Sequence, residues 1–332
     1  MERAGRLVHA GMAYAAGCTG RGITAAVIDT GIGAHPDIPG ERLLYFRDFV
    51  NRKGAPYDDS GHGTHVCGIL GGSGRLANGR WRGIAPECSL VVLKALDESG
   101  DGDAADVMAA LKWVLERGGE FGIRIVNLSF GASCEENDED YKKLLSLVEQ
   151  VWDAGICVVG AAGNLGPKKN SVTLPGCSSR IITVGASEPG MIANRFSGRG
   201  PGRDGSMKPD LVAPAGSIRS IRPLNYEMRN GKVFFSGGRQ RENKVLPDGQ
   251  AWEQLLLQER MRRRLMMSGY AIKSGTSMAT PMVSGAVCLL LQREPDLTPD
   301  QIKERLWQSA VDLGFPKEQQ GRGMLDLGRV LM

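Results

Sequence analysis

Residues 23–32 read Ile-Thr-Ala-Ala-Val-Ile-Asp-Thr-Gly-Ile, an apolar run that ends in a carboxylate, Asp29. A run that is apolar on both faces is typical of a parallel strand buried between helices. Open α/β sheets place their active sites at the carboxyl ends of such strands. Asp29 is therefore a candidate functional residue, although an aspartate at this place is, by itself, more often a turn or a helix cap.

Further apolar runs of the same kind follow along the chain at Leu90–Leu96, Ile123–Phe130, Ile156–Ala161 and Ile181–Ala186. Amphipathic stretches such as Ala104–Arg117 and Asp138–Trp152 lie between them. This alternation predicts an α/β, doubly wound fold with a mostly parallel central sheet flanked by helices. Near the C-terminus, a threonine followed by Pro299 and, two residues later, a glutamine predicts a helix that runs to about Gln308.

The composition is typical of a soluble globular chain, with 332 residues, 42% hydrophobic residues and a net charge of +4. No apolar stretch approaches the roughly 20 residues that cross a bilayer, so we expect no membrane span. The first residues carry no convincing signal peptide. Seven scattered cysteines favour reduced thiols, so we predict a cytoplasmic location.

His62 lies between two glycines, at the predicted start of a helix of small residues. An imidazole with its usual pKa of roughly 6.5 can act as a general base near neutral pH. A metal site formed by His62 and His65 is the alternative interpretation. No glutamate stands at the usual metalloprotease position and no third ligand is evident, so we predict no metal site.

Ser277 and Asn164 are the next candidates. Ser277 precedes the apolar helix predicted for Met282–Gln292, where free backbone N–H groups and the helix dipole can hold an oxyanion. We place Pro281 in the first turn of that helix, where a missing N–H is tolerated. Asn164 follows a buried strand that opens into small residues, and its amide can donate to the same oxyanion. Either segment alone would also pass for an ordinary cap or turn.

Taken together, four segments resemble the subtilases, the subtilisin-like serine proteases: DTGI at 29–32, GHGTHV at 61–66, AAGN at 161–164 and GTSMATP at 275–281. The order Asp, His, Ser is also that of subtilisin. The resemblance covers roughly residues 10–330 and points to intracellular-type bacterial members. It implies a subtilisin-like fold and a serine endopeptidase that forms an acyl-enzyme on Ser277, with Asp29 and His62 completing the triad and Asn164 as oxyanion donor.

The resemblance also implies a cleft that binds a protein or peptide substrate as an extended strand. Its predicted walls are Ser129, Phe130 and Gly131 on one side and Ala161, Ala162 and Gly163 on the other. Small residues there favour a sizeable apolar side chain at P1, with Lys168 and Lys169 nearby. Asp101 and Asp103 either favour basic residues at more distant subsites or belong to a solvated loop, which is the favoured interpretation.

We predict no required cofactor. Subtilases often hold structural Ca²⁺, and residues 74–82 correspond to a region used for this. Arg75, Arg80 and Arg82 oppose a cation there, so calcium is left unassigned.

Basic charge is concentrated before the nucleophile: residues 217–273 carry twelve Lys and Arg against five Asp and Glu. We predict a single peptidase domain over residues 1–332 with a basic insertion at about 217–270. Its second part, Gln250–Met267, can form an amphipathic basic helix. A hairpin and helix packed on the domain surface is the favoured interpretation, with a lid or autoinhibitory element, or binding to an anionic membrane or nucleic acid, as alternatives.

The resemblance leaves one alternative function open, a catalytically silent subtilase that acts as a binding or signalling protein. The presence of Asp29, His62, Asn164 and Ser277 argues against it.

Overall fold

A computed structural model of the chain describes residues 1–132, 139–187, 195–202, 204–224, 266 and 268–332, and the backbone of 226–229 and 232–235. Within these residues, seven strands form a central sheet: β1 (Thr24–Asp29), β2 (Leu43–Asp48), β3 (Ser89–Lys94), β4 (Ile123–Leu128), β5 (Cys157–Ala161), β6 (Ile182–Ala186) and β7 (Leu211–Ala213). Their order is β2-β3-β1-β4-β5-β6-β7, and every neighbouring pair is parallel. The predicted α/β fold is confirmed.

The five predicted strands are present, and the two additional strands, β2 and β7, lie at the sheet edges. Strand β2 is only partly buried and contains Arg47 and Asp48, so it lacks the apolar run that marks an interior strand. Strand β7 has only three residues, which is too short for a periodic signal.

Helices cover both faces of the sheet: α1 (Glu2–Leu7), α2 (Ala10–Ala15), α3 (His62–Gly71), α4 (Ala104–Arg117), α5 (Glu139–Asp153), α6 (Thr276–Arg293), α7 (Pro299–Ser309), α8 (Lys317–Gln320) and α9 (Leu327–Val330). Helix α4 has the predicted bounds. Helix α5 ends one residue after its predicted end, and its predicted first residue, Asp138, lies outside the described residues. A capping box between Thr298 and Gln301 starts α7 as predicted. Among the described residues, no helix is long and apolar enough to span a bilayer.

The prediction for α6 was wrong at its start. The helix begins at Thr276, six residues earlier than predicted, and so includes the candidate nucleophile. Pro281 therefore lies in the second turn and not the first, and it cannot donate to the carbonyl of Ser277. The helix is stable because every residue from Thr276 to Leu291 except Ser277 is buried, so packing offsets the missing hydrogen bond.

Two antiparallel strand pairs lie within or next to the predicted insertion. Strand β8 (Ile218–Ile221) pairs with β11 (Tyr270–Lys273), and β9 (Tyr226–Arg229) pairs with β10 (Lys232–Phe235). The antiparallel pairing of β9 and β10 agrees with a hairpin. The amphipathic helix predicted for Gln250–Met267 lies outside the described residues, except for Met266. The single domain with an insertion stays a prediction.

Candidate active site

Asp29 is the last residue of β1, the strand between β3 and β4 in the sheet. Its side chain is completely buried, and its Oδ1 accepts a hydrogen bond of 2.8 Å from the backbone N–H of Thr30. A buried carboxylate that accepts such bonds is held in one orientation. The position at the carboxyl end of a central strand is the one predicted for it.

His62 is the first residue of α3, as predicted. Its Nδ1 lies 2.7 Å from Oδ1 of Asp29, while 23% of its side chain remains exposed. The helix start packs closely on the loop after β1, because a Cβ on Gly63 would come within 2.3 Å of the carbonyl oxygen of Gly31. The glycine after His62 is therefore required for this approach.

The pKa of His62 reflects two opposing effects. Burial of the ring lowers it, but the charge of Asp29 and the hydrogen bond to Asp29 outweigh burial, so the pKa of His62 lies above its usual value. The Asp29–His62 pair therefore favours the protonated imidazole, which is the form that a general base reaches after taking a proton.

Ser277 is the second residue of α6 and is half-buried. The first turn of a helix leaves its backbone N–H groups without partners inside the helix, so this turn can bind an anion. Among the residues that the structure describes, the Ser277 hydroxyl makes no hydrogen bond, and none joins it to His62. The structure thus gives one of the two contacts expected of a Ser-His-Asp triad.

Asn164 lies opposite this helix start, and its side chain is fixed by Thr276. The amide oxygen of Asn164 accepts from the backbone N–H of Thr276 at 3.0 Å and from its hydroxyl at 3.1 Å. With the oxygen held in this way, Nδ2 is the atom left to donate toward the cleft. Asn164 is solvent-exposed, so this donor is accessible to a substrate. The motifs did not identify Thr276 as a functional residue.

A cavity of about 170 Å³ lies between Ser277 and Asn164, lined also by Phe130, Gly131, Gly163, Leu165, Thr173 and Thr276. Thr173 separates the two glycine segments: a Cβ on Gly131 or Gly163 would come within 2.1 or 2.2 Å of its Oγ1. This hydroxyl is buried and has no hydrogen-bond partner within the described part of the chain. Thr173 was missed by sequence reasoning, since no motif includes it.

The other predicted wall residues, Ser129, Ala161 and Ala162, are buried next to the cleft and are not among the residues that line its cavity. The buried hydroxyl of Ser129 accepts from Asn127, whose amide oxygen in turn accepts from Ser284 of α6 at 2.9 Å. Ala161 and Ala162 are buried at the end of β5 and do not line the cavity. Asn127 thus joins the strand that ends at the cleft to the helix that carries Ser277, and Ser129 holds the Asn127 amide in place.

A second cavity, of about 400 Å³, shares Phe130 and Gly131 with the first. Its lining also includes Leu96, Tyr141 and Asp101, one of the two loop aspartates. The carboxylate of Asp103 instead caps α4, accepting from the backbone N–H of Ala105 at 2.8 Å.

His65 is buried and is committed to the backbone. Its Nε2 lies 3.1 Å from the carbonyl oxygen of Ile218 and 3.2 Å from that of Ala271, one on each strand of the β8–β11 pair. Burial and the nearby charge of Lys273 lower the pKa of His65 to about 3. A neutral ring that donates to two carbonyls has a structural role in tying α3 to this pair.

Comparison with known proteins identifies the family. A profile of the subtilase family matches residues 20–324. The chain belongs to the subtilase family. The serine protease AprX of Bacillus subtilis is 39% identical to this subtilase over 300 residues, which cover 87% of the chain and 61% of AprX. The chain thus spans about three fifths of the length of that relative.

A thermostable alkaline protease of Halalkalibacterium halodurans is 29% identical over 322 residues, covering 97% of this subtilase and 71% of the relative. The crystal structure of a cold-adapted subtilisin-like serine proteinase matches with a TM-score of 0.64 and 27% identity, over 93% of this chain and 89% of that one. The family resemblance and the subtilisin-like fold expected from the four motifs are confirmed.

Proposed function

We propose that this subtilase is a serine endopeptidase that hydrolyses peptide bonds through an acyl-enzyme on Ser277. The observation that carries the proposal is the 2.7 Å contact between Asp29 and His62, on a helix that packs against the helix of Ser277. Ser277 and Asn164 line one cavity. A serine hydroxyl is a weak nucleophile at neutral pH and needs an adjacent base. His62 is the proposed base, because it is paired with Asp29 and starts a helix, α3, that packs on the helix of Ser277, α6.

In the proposed reaction, His62 Nε2 takes the proton of the Ser277 hydroxyl as Oγ attacks the scissile carbonyl. Asp29 fixes the Nδ1–H tautomer and stabilises the imidazolium that forms. The imidazolium then gives its proton to the leaving amine. A water molecule then attacks the acyl carbon while His62 takes one of its protons. The bond from the acyl group to Oγ of Ser277 breaks, His62 returns the proton to that Oγ, and the acid leaves.

The negative oxygen of each tetrahedral intermediate is held by two donors, Nδ2 of Asn164 and the backbone N–H of Ser277. These donors lie on rigid elements, because Thr276 fixes the amide and α6 fixes the backbone. Preorganised donors of this kind stabilise charge that develops only in the transition state.

The substrate proposal follows from the cavity beside Ser277. The cavity of about 170 Å³ can hold one P1 side chain. Gly131 and Gly163 lack a side chain because Thr173 packs against both of them. Lys169 forms an ion pair with Glu318 at 3.2 Å. Its charge is therefore neutralised there, which leaves an apolar P1 residue of moderate size as the proposed preference.

We also propose that no cofactor is needed, and we leave structural Ca²⁺ unassigned. The proposal of a cytoplasmic location is supported by the seven cysteines, whose scattered spacing along the chain does not resemble a disulfide framework. Binding of the basic insertion to nucleic acid or an anionic surface stays a hypothesis.

The test uses a fluorophosphonate probe and a peptide library on the purified chain. We expect the probe to label Ser277 and the library to be cleaved, with Ser277→Ala abolishing both while the far-UV circular dichroism stays unchanged. Activity in Ser277→Ala would refute the mechanism. A folded wild-type chain that neither cleaves nor reacts would favour the silent, binding-only alternative.

A further inference from the structure

Asp58 lies outside the proposed triad, four residues before His62 and paired with Gly31 in an antiparallel bridge. Its carboxylate accepts four hydrogen bonds. Oδ1 accepts from the backbone N–H of Gly61 at 2.7 Å and from the hydroxyl of Thr30 at 2.8 Å. Oδ2 accepts from the backbone N–H of Thr64 at 2.8 Å and from its hydroxyl at 2.6 Å. Four acceptor sites are the full capacity of a carboxylate.

The two threonines bonded to Asp58 connect the end of β1, where Asp29 lies, to the start of α3, where His62 lies. Thr30 follows Asp29, and its Oγ1 accepts from the backbone N–H of Gly63 at 2.8 Å. Thr64 lies in the first turn of α3, and its Oγ1 accepts from the backbone N–H of Gly33 at 2.9 Å. Each hydroxyl therefore donates to Asp58 and accepts from the backbone of the opposite loop.

An ordinary helix cap explains only part of this network. Capping of α3 accounts for the bonds from Asp58 to Gly61 and Thr64. It does not account for the bond to Thr30, whose own backbone N–H holds the carboxylate of Asp29. Both threonines are fully buried, so these bonds exchange little with water.

We infer that Asp58 is a positioning residue for catalysis, which acts through Thr30 and Thr64 to hold His62 against Asp29. The inference rests on the proposed endopeptidase function. A displacement of about 1 Å between reacting groups can cost 10²-fold in rate, so a network that fixes both loops has a direct effect on turnover.

The charges around His62 agree with this geometry. Asp29 from β1 has the larger effect in raising the pKa of His62, and Asp58 raises it further. Lys273 from β11 opposes them, and His65, one turn along α3, is neutral above a pKa of about 3. Removing the charge of Asp58 should therefore lower the pKa of His62. Removing a hydroxyl from the network should lower this pKa less, because it only loosens the contact with Asp29.

The test measures kcat and KM on a peptide p-nitroanilide from pH 5 to 9 for Asp58→Asn, Thr30→Val and Thr30→Ser. We expect about 10- to 100-fold lower kcat for Asp58→Asn and Thr30→Val, with KM changed little. Thr30→Ser keeps the hydroxyl and should stay near the wild type. Asp58→Asn should move the acidic limb of the kcat/KM profile to lower pH, and Thr30→Val should move it less.

Asp153 is an exposed carboxylate at the end of α5, so Asp153→Asn is the matched control for loss of one charge. This variant should change neither kcat nor the limbs of the kcat/KM profile. If Asp58→Asn does not fold, the Thr30 pair still decides, because both of its variants keep the charge. Wild-type kcat in Asp58→Asn or in Thr30→Val would overturn the inference, as would equal losses in Thr30→Ser and Thr30→Val. An inactive wild type would instead overturn the proposed function on which it rests.

Discussion

The contact between Thr276 and Asn164 gives a prediction that can be tested as a double-mutant cycle. Asn164→Ala removes the side-chain donor of the oxyanion. For the equivalent donor in subtilisin this loss is about 10²–10³ in kcat, or about 2.7–4 kcal/mol, and we carry it over as a family expectation. KM should change little, because the donor acts mainly when the oxyanion forms.

Thr276→Val removes one of the two bonds to the Asn164 amide oxygen, the 3.1 Å bond from the hydroxyl, and keeps the 3.0 Å bond from the backbone N–H. A neutral hydrogen bond contributes about 0.5–1.5 kcal/mol, which corresponds to a loss of about 2- to 12-fold in kcat. The loss arises because the amide then turns more freely and its Nδ2 points less often at the oxyanion.

The double variant separates this indirect role from a direct one. If Thr276 acts only through Asn164, the double variant should be no slower than Asn164→Ala, so the two effects are not additive. The assay is kcat on a peptide p-nitroanilide, with active sites counted by fluorophosphonate labelling. Losses that multiply in the double variant would refute the reasoning, as would a Thr276→Val effect confined to KM.

Two further predictions concern buried groups. Lys303 donates to three backbone carbonyls, and burial lowers its pKa to about 8 against an opposing effect of Asp210. The unfolded chain then binds more protons between about pH 8 and 10.5, so the free energy of unfolding should rise with pH in this window, by on the order of 1–3 kcal/mol. Urea unfolding of the Ser277→Ala chain, which cannot digest itself, measures this slope; Lys303→Met should remove it, and an unchanged slope contradicts the assignment. Thr173→Val replaces an unpartnered hydroxyl in the cavity by a methyl group of similar size, so kcat/KM for Phe over Gln at P1 should rise about fivefold or more. An unchanged ratio would show that the hydroxyl does not contact P1.

Much of the fold could be predicted because buried parallel strands and capped helices leave local signals. The run that ends in Asp29 is apolar on both faces, and β1 is indeed an interior strand. Thr298 and Gln301 form the capping box that their spacing predicts. Strand β2 was not predicted, because an edge strand is half-exposed and its sequence is not uniformly apolar.

The start of α6 shows where local rules fail. A proline in the second turn argues against a helix at Thr276, yet burial of every residue up to Leu291 except Ser277 stabilises one there. Intrinsic propensity is a weak signal that tertiary packing overrides. The error matters for function, because the true start places Ser277 itself in the first turn.

The sequence by itself determined the family, the order of the sheet-end residues and the identity of Asp29, His62, Asn164 and Ser277 as candidates, since each belongs to a short contiguous motif. The tertiary structure alone decided which residues support them. Thr276 holds Asn164 from 112 positions away, and Asp58 joins the loops of Asp29 and His62 through two threonines. These hydrogen bonds form only when separate strands and helices pack together. A local sequence pattern cannot predict them, because the distances between the bonded atoms are set by that packing.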